Sequence, residues 1–339
     1  MMGAFMTKEH PFAQYVRIIG RGPNLSRPLT EDEMYIAAGM ILRGEVENLQ
    51  LGAFLCILRL RTEVPEEGFG FVRAVRDALE LPNDLPDVDL DWPTYSGKKR
   101  QLPWFLLSAL LMAKNGVRIC MQGTEGHTLG RLYSSEALKF LGVPEAGSML
   151  EAAEQIRAFN FAYLPLKVIH PRLQEIIELK PIIGVRSPVN TFARMINPFS
   201  APYEIHTVFH PNYRDVHRET ANLLGQPHMA VFKGEGGEAE RRPQKPVLVQ
   251  SISNGELVEE EWPPMLADST AEKDEALDLD RLKAVWSGKT EDEYATAAVT
   301  GTIAIALRLM GRAAGIDEAQ AQALAMWEAR DKANPGVAA

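Results

Sequence analysis

Residues 94–128 read TYSGKKRQLPWFLLSALLMAKNGVRICMQGTEGHT, and this stretch decides the class of fold. Residues 101–115 are a mostly apolar run of helix length, and Gly116 stands where a left-handed residue ends a helix. Residues 117–121 then read as a short strand, and 122–128 as a loop that feeds another helix. A loop entering a helix holds anions with backbone N–H groups and the positive end of the helix dipole. Here Lys98, Lys99 and Arg100 stand where a pyrophosphate loop would carry glycines and an acid. Such a site suits the phosphates of a strand held at a surface better than a cradled magnesium pyrophosphate. A solvated turn is the other reading of the same short basic run.

Upstream of this unit the chain reads as helices. Thr30 with Glu33 is a capping box, opening a helix that runs to about Arg43 and stops at Gly44. Asn48 caps a second helix, apolar on most sides through Leu51, Phe54, Leu55, Ile57 and Leu58. That is more apolar surface than a small domain needs, so a dimer through the N-terminal helices is expected. Thr62 and Pro65 begin a third helix. Residues 81–93 carry three prolines and several acids and read as a linker.

Downstream, strand and helix alternate, as in an α/β layer fold. Helical material returns between His170 and Asn197, and a loop–helix unit follows at 211–224. Residues 229–232 and 247–251 look like strands, 256–293 like an acidic, loop-rich stretch, and 291–311 and 317–329 like the last helices.

The chain has 339 residues, room for one large domain or two ordinary ones. Its 46% apolar and 24% charged content match a globular protein. No apolar run reaches the roughly 18 residues of a membrane span, and residues 1–14 lack a signal-peptide pattern. Cys56 and Cys120 each sit in an apolar segment, without CxxC spacing, so a reduced, cytoplasmic protein without membrane contact is expected. The net charge of −9 argues against indiscriminate nucleic-acid binding, but the charge is uneven. Residues 256–293 hold 13 acids against 4 Lys or Arg, whereas 165–245 hold 11 Lys or Arg against 8 acids. The middle of the chain therefore permits a local anion-binding face.

Within that middle, Arg214, Arg218, Lys233, Arg241, Arg242 and Lys245 lie on loops or helix starts. Singly each reads as a solvated charge; together they could line a groove with Lys98, Lys99 and Arg100. His206, His210, His217 and His228 are irregularly spaced and complete no tetrahedral set, so no metal site is expected. Residues 234–237 (GEGG) lack the strand–loop–helix context of a dinucleotide site.

Two longer segments carry a family resemblance. Residues 29–61, LTEDEMYIAAGMILRGEVENLQLGAFLCILRLR, and residues 170–202, HPRLQEIIELKPIIGVRSPVNTFARMINPFSAP, resemble the anthranilate phosphoribosyltransferase family. The likeness is collinear over roughly residues 15–330. It implies an α/β fold: a small α-helical domain at 1–80, joined by helices at about 168–198, plus a larger α/β domain at 91–167 and 199–339. The larger domain would have a mostly parallel central sheet flanked by helices, with substrates between the domains and dimerisation through the helices.

The resembled catalytic motifs are altered. The GTGGD loop falls on residues 96–100, where only Gly97 matches, and the N-x-S-T element falls on 102–106 with Pro103 and Trp104 in its middle. The K-H-G-N-R segment falls on 121–125, keeping Gly123 but placing Met121 at the lysine and Glu125 at the arginine. The Asp-Glu metal pair falls on Ala239 and Glu240, and losing one of two carboxylates weakens a hold on Mg²⁺. Gly97, Gly123, His170, Asn190 and Glu240 thus outline a vestigial substrate cleft, with Arg186 at the position that contacts the aromatic acid. Arg186 could equally cap a helix or pair with a carboxylate, and His170 could be a helix-start residue bonded to backbone.

The loop Tyr-x-Gly-x-Lys-Arg-Gln at 95–101 is closest to the divergent YbiB-like branch of the family. That resemblance implies a dimeric DNA- or RNA-binding protein with neither cofactor nor anthranilate transferase activity. The alternative is a phosphoribosyl- or glycosyltransferase on another acceptor, which would need magnesium; a small-ligand sensor is a third.

Overall fold

Local chemistry starts each helix of the N-terminal bundle. Thr30 Oγ1 accepts from the Glu33 N–H at 3.3 Å, and the Glu33 carboxylate accepts from the Thr30 N–H at 2.9 Å. This box opens α2 (Glu31–Leu42), which follows α1 (Ala13–Gly20). The cap of α3 (Asn48–Arg61) is Glu47 rather than Asn48, since Gln50 reaches back to the Glu47 N–H. Pro65 supplies the first turn of α4 (Pro65–Asp77).

The computed structural model describes residues 9–124, 126, 128–267, 274 and 276–336. After α4 the chain forms β1 (Leu90–Thr94), α5 (Phe105–Lys114), β2 (Ile119–Gly123), α6 (Ser134–Phe140), α7 (Met149–Phe159) and β3 (Phe161–Pro165). Four short helices follow: α8 (Leu166–Ile169), α9 (Pro171–Glu178), α10 (Lys180–Ile183) and α11 (Val189–Phe192). Then come β4 (Tyr203–Val208), α12 (Tyr213–Leu223), β5 (His228–Lys233), β6 (Val247–Ser253) and β7 (Glu256–Trp262). The chain closes with α13 (Asp280–Ser287), α14 (Glu293–Leu309) and α15 (Ile316–Glu328).

The seven strands form one sheet in the order β3-β2-β1-β4-β5-β6-β7. The first five run parallel, and β6 and β7 add an antiparallel edge. Alternating side chains of the central strands enter two different cores. Ile119, Met121, Phe161 and Tyr163 pack with α5 and α14, while Cys120, Ala162 and Leu164 pack with α2, α3 and α4. Helix α5 is buried all round from Phe105 to Ala113, so it carries no polar face beyond Ser108. The architecture is a small helical domain on a larger α/β domain with a mostly parallel sheet.

Several expectations change. Residues 81–93 are not all linker, because β1 begins at Leu90. Pro93 is tolerated there because β1 pairs with β4 only through Leu90 and Asp91, so Pro93 lies beyond that ladder. The acidic stretch contains β7 and α13; β7 is an edge strand, and its exposed glutamates block edge-to-edge pairing. The readings attached to Glu125 and to the acids at 268, 272 and 275 lie outside the described residues. Leu51, Phe54, Leu55 and Leu58 of α3 are buried within the chain's own core and present no surface for a partner. No helix among the described residues is long and apolar enough to cross a membrane.

Candidate anion-binding cleft

Strand order reverses at β1, which has β2 on one side and β4 on the other. In a parallel sheet such a switch point leaves a crevice beyond the carboxyl ends of the two strands. Tyr95 and Ser96 leave β1 there, and Phe209 and His210 leave β4. Together with Arg59 of the helical domain, Tyr213 and His217 of α12, and Arg186, Ser187, Asn190, Thr191 and Arg194 around α11, they line a cavity of about 100 Å³.

The cleft is cationic. Arg186 donates to Thr128 Oγ1 at 3.4 Å, and Lys180 donates to the same oxygen at 3.0 Å. Arg131 donates to the carbonyls of Ser96 and Gly97, each at 2.9 Å. Arg194 donates to Ser96 Oγ at 2.7 Å, and Arg59 to the Tyr213 hydroxyl at 2.7 Å. None of these five cations forms an ion pair among the described residues. Burial, then Arg131 and Arg194, depress the pKa of Arg186; burial, then Arg186 and Arg131, depress that of Lys180. A cluster of like charges costs free energy that an incoming anion relieves. Three buried polar atoms on the lining also lack a protein partner: Ser187 Oγ, Asn190 Oδ1 and Arg194 Nη1.

The loop at 96–100 behaves differently from its sequence reading. Lys98 is not a surface cation: it is 2% exposed, and its Nζ lies 2.6 Å from Glu240 Oε1. Glu240 is fully buried, and its other oxygen accepts from the Phe105 N–H at 3.0 Å. Burial pushes the Glu240 carboxyl up, and the Lys98 ammonium pulls it back down. The neighbouring Glu238 accepts through Oε1 from the Ser96 and Gly97 N–H groups at 2.7 and 2.6 Å, and its buried Oε2 has no partner among the described residues. Only Lys99 and Arg100 of the basic run are exposed.

The remaining sequence-derived residues scatter. Arg241 is fully buried over the Trp262 ring and donates to the Pro263 carbonyl, so burial lowers its pKa to about 10 and no ligand reaches it. Arg218 is held by Asp215, Glu219 and Glu259, which neutralise it. Arg214 reaches backbone carbonyls of Pro211 and Leu248. Lys233 and Arg242 are half-buried and Lys245 is exposed, and none of the three lines the cleft. His170 caps α9, its Nδ1 accepting from the Arg172 N–H at 3.3 Å. Gly97 adopts φ +66°, and Gly123 is required because a Cβ there would lie 2.3 Å from the Thr94 carbonyl.

His217, whose spacing completes no metal-ligand set, lines the cleft. Its Nδ1 lies 3.2 Å from His206 Nδ1, and His206 Nε2 lies 3.2 Å from Glu204 Oε2. Burial, then His206 and Arg194, hold the His217 pKa well below the usual imidazole range. Below about pH 6.5 the unfolded chain therefore binds a proton that the folded chain refuses, and stability falls with pH. Relative to His217→Phe, the wild type is expected to lose about 1.4 kcal/mol more per pH unit below 6.5. Urea unfolding of both proteins at pH 7.0 and 5.5 measures this, and parallel losses would refute it.

Among known proteins, the chain matches the a/b domain of a glycosyl transferase family over residues 105–329 and that family's helical bundle domain over residues 13–79. It is 26% identical to the uncharacterized protein YbiB of Escherichia coli K12 over 239 residues, covering 69% of this chain and 74% of YbiB. It is also 26% identical to the anthranilate phosphoribosyltransferase of Geobacillus kaustophilus over 211 residues, 62% of each chain. Its fold is similar to anthranilate phosphoribosyltransferase from Saccharomyces cerevisiae in complex with PRPP and Mg, at TM-score 0.75 and 16% identity over 95% of this chain and 94% of that one. Helical bundle, switch-point cleft and sequence together show that this chain belongs to the glycosyl transferase family that includes the anthranilate phosphoribosyltransferases.

Proposed function

We propose that this protein binds nucleic acid through backbone phosphates at the cationic cleft and does not transfer phosphoribosyl groups. The observation that carries the reading is the convergence of Arg59, Arg131, Lys180, Arg186 and Arg194 without an ion-paired acid among the described residues. Phosphate contacts of this kind position a strand without reading its sequence.

Magnesium does not fit the carboxylates that remain. It takes hard oxygen ligands in near-octahedral geometry. Glu240 is committed to Lys98 and Phe105, and Glu238 gives one oxygen to two backbone N–H groups. Binding of single- and double-stranded oligonucleotides should weaken linearly in log K against log salt. In parallel, phosphoribosyl pyrophosphate, anthranilate and magnesium should yield no product above buffer. Salt-independent binding, or steady product formation, would reverse the reading in favour of a transferase.

We also propose self-association through α3, on the face opposite to the one the sequence pointed to. Leu49, Ala53, Cys56 and Leu60 recur at helical spacing, and Leu49 and Leu60 are 90% and 88% exposed. Such an unpartnered apolar stripe suits an isologous contact between two copies. A dimer by sedimentation at micromolar concentration is expected, converting to monomer in Leu49→Ser with Leu60→Ser. A wild-type monomer would remove this proposal.

A further inference from the structure

We infer that His217, held by His206 and Glu204, makes the cleft select ribose over deoxyribose by accepting a hydrogen bond from a sugar hydroxyl beside a bound phosphate. The inference rests on the phosphate-binding reading above and adds the kind of strand.

The proton positions follow from the chain of contacts. Glu204 Oε1 accepts from Asn197 Nδ2 at 2.7 Å, and its Oε2 faces His206 Nε2 at 3.2 Å, somewhat off the hydrogen-bond direction. A carboxylate is an acceptor, so the His206 proton belongs on Nε2 and its Nδ1 is bare. The 3.2 Å contact between the two Nδ1 atoms then requires the proton on His217 Nδ1. His217 Nε2 is left as a bare acceptor on a ring that lines the cleft. Burial keeps this imidazole neutral, which preserves the acceptor.

The rest of the lining has matching polarity. Asn190 Nδ2 donates to the Ser187 carbonyl at 3.2 Å, which leaves Asn190 Oδ1 as a second, unpaired acceptor. Arg194 Nη1 is an unpaired cationic donor, and Arg186 stands beside it. The complement is one group with negative oxygens next to a hydroxyl donor. The 2′-hydroxyl next to its 3′-phosphate has that pattern, and it is the group by which a protein tells RNA from DNA. A hydroxyl has one proton to donate, so a deoxyribose strand leaves the His217 Nε2 acceptor unsatisfied.

The test compares fluorescence anisotropy titrations of an adenine homopolymer as ribo, 2′-deoxy and 2′-fluoro strands. The 2′-fluoro strand keeps a ribose-like pucker but cannot donate. Wild type should bind the ribo strand tighter than both others by on the order of tenfold, the effect of one unsatisfied buried acceptor. His217→Phe should lose the preference, binding the ribo and 2′-fluoro strands alike. The 2′-fluoro arm alters only the ligand, so it decides the matter even if the variant misfolds. Equal binding of ribo and 2′-fluoro strands by wild type overturns this inference and leaves the phosphate-binding reading standing. No binding of any strand overturns both.

Discussion

Lys98→Ala is expected to destabilise the fold by about 3–5 kcal/mol, although the residue sits in a run that reads as a surface loop. Among the described residues the Lys98 ammonium, at 2.6 Å, is the only side-chain partner of Glu240, and both groups are buried. Removing one member of such a pair strands the other charge in low dielectric, and that desolvation cost dominates the loss. Lys99→Ala with Arg100→Ala should stay within about 0.5 kcal/mol, because both residues are exposed. Lys98→Met combined with Glu240→Gln should recover most of the loss, since the amide still accepts from the Phe105 N–H and no charge is left behind. Chemical denaturation of the three variants provides the measurement. A Lys98→Ala protein as stable as wild type would show that the pair is not the anchor of the loop.

Lys180→Ala with Arg186→Ala carries the largest expected effect on binding. Each backbone phosphate contact contributes roughly 0.9 to the slope of log K against log salt on duplex DNA. Losing two should flatten the slope by about 1.8 and weaken binding by about 60-fold at 0.1 M salt. All sequences should suffer alike, because phosphate contacts position without specifying. Neither side chain holds up the core: among the described residues each reaches only Thr128 Oγ1 at the cleft mouth. Stability should therefore change little. The pair Lys99→Ala, Arg100→Ala is the counterpart on the exposed loop. If it flattens the slope and the cleft pair does not, the strand runs over the loop and the cleft serves another ligand.

The two results separate a cation that binds from a cation that braces. Both kinds occur within a few residues of one another, and local sequence does not distinguish them. Arg241 and Arg242 are adjacent, yet the first is fully buried on Trp262 and the second is half-exposed. Arg218 lies on a polar helix, yet Asp215, Glu219 and Glu259 surround it, the last of them from strand β7, 41 residues away.

Arg194 marks the opposite case. The sequence did not single it out, and its meeting with Ser96, 98 residues away, comes only with the fold.

What the sequence determined by itself is the part written in short-range chemistry. The capping box at Thr30 and Glu33, the apolar run at 101–115 and the helix-ending Gly116 depend on neighbours within a few positions; the box and the stop form as read, and the run forms a helix from Phe105 to Lys114. The collinear segments at 29–61 and 170–202 likewise carried the family and the layered α/β architecture. Strands β1, β3, β4 and β7 were hidden because a strand is stabilised by partners far along the chain, and Pro93 or a glutamate run is acceptable wherever the ladder happens to end. Apart from Arg186 and Asn190, the site belongs to the tertiary structure. Arg59, Arg131, the 180–194 segment and His217 come from four separate stretches, and the strand reversal at β1 brings them to one crevice and its mouth. Whether a charge is a ligand contact or half of a buried pair depends on what packs against it. Lys98 became structural because Glu240, 142 residues later, folds beneath it.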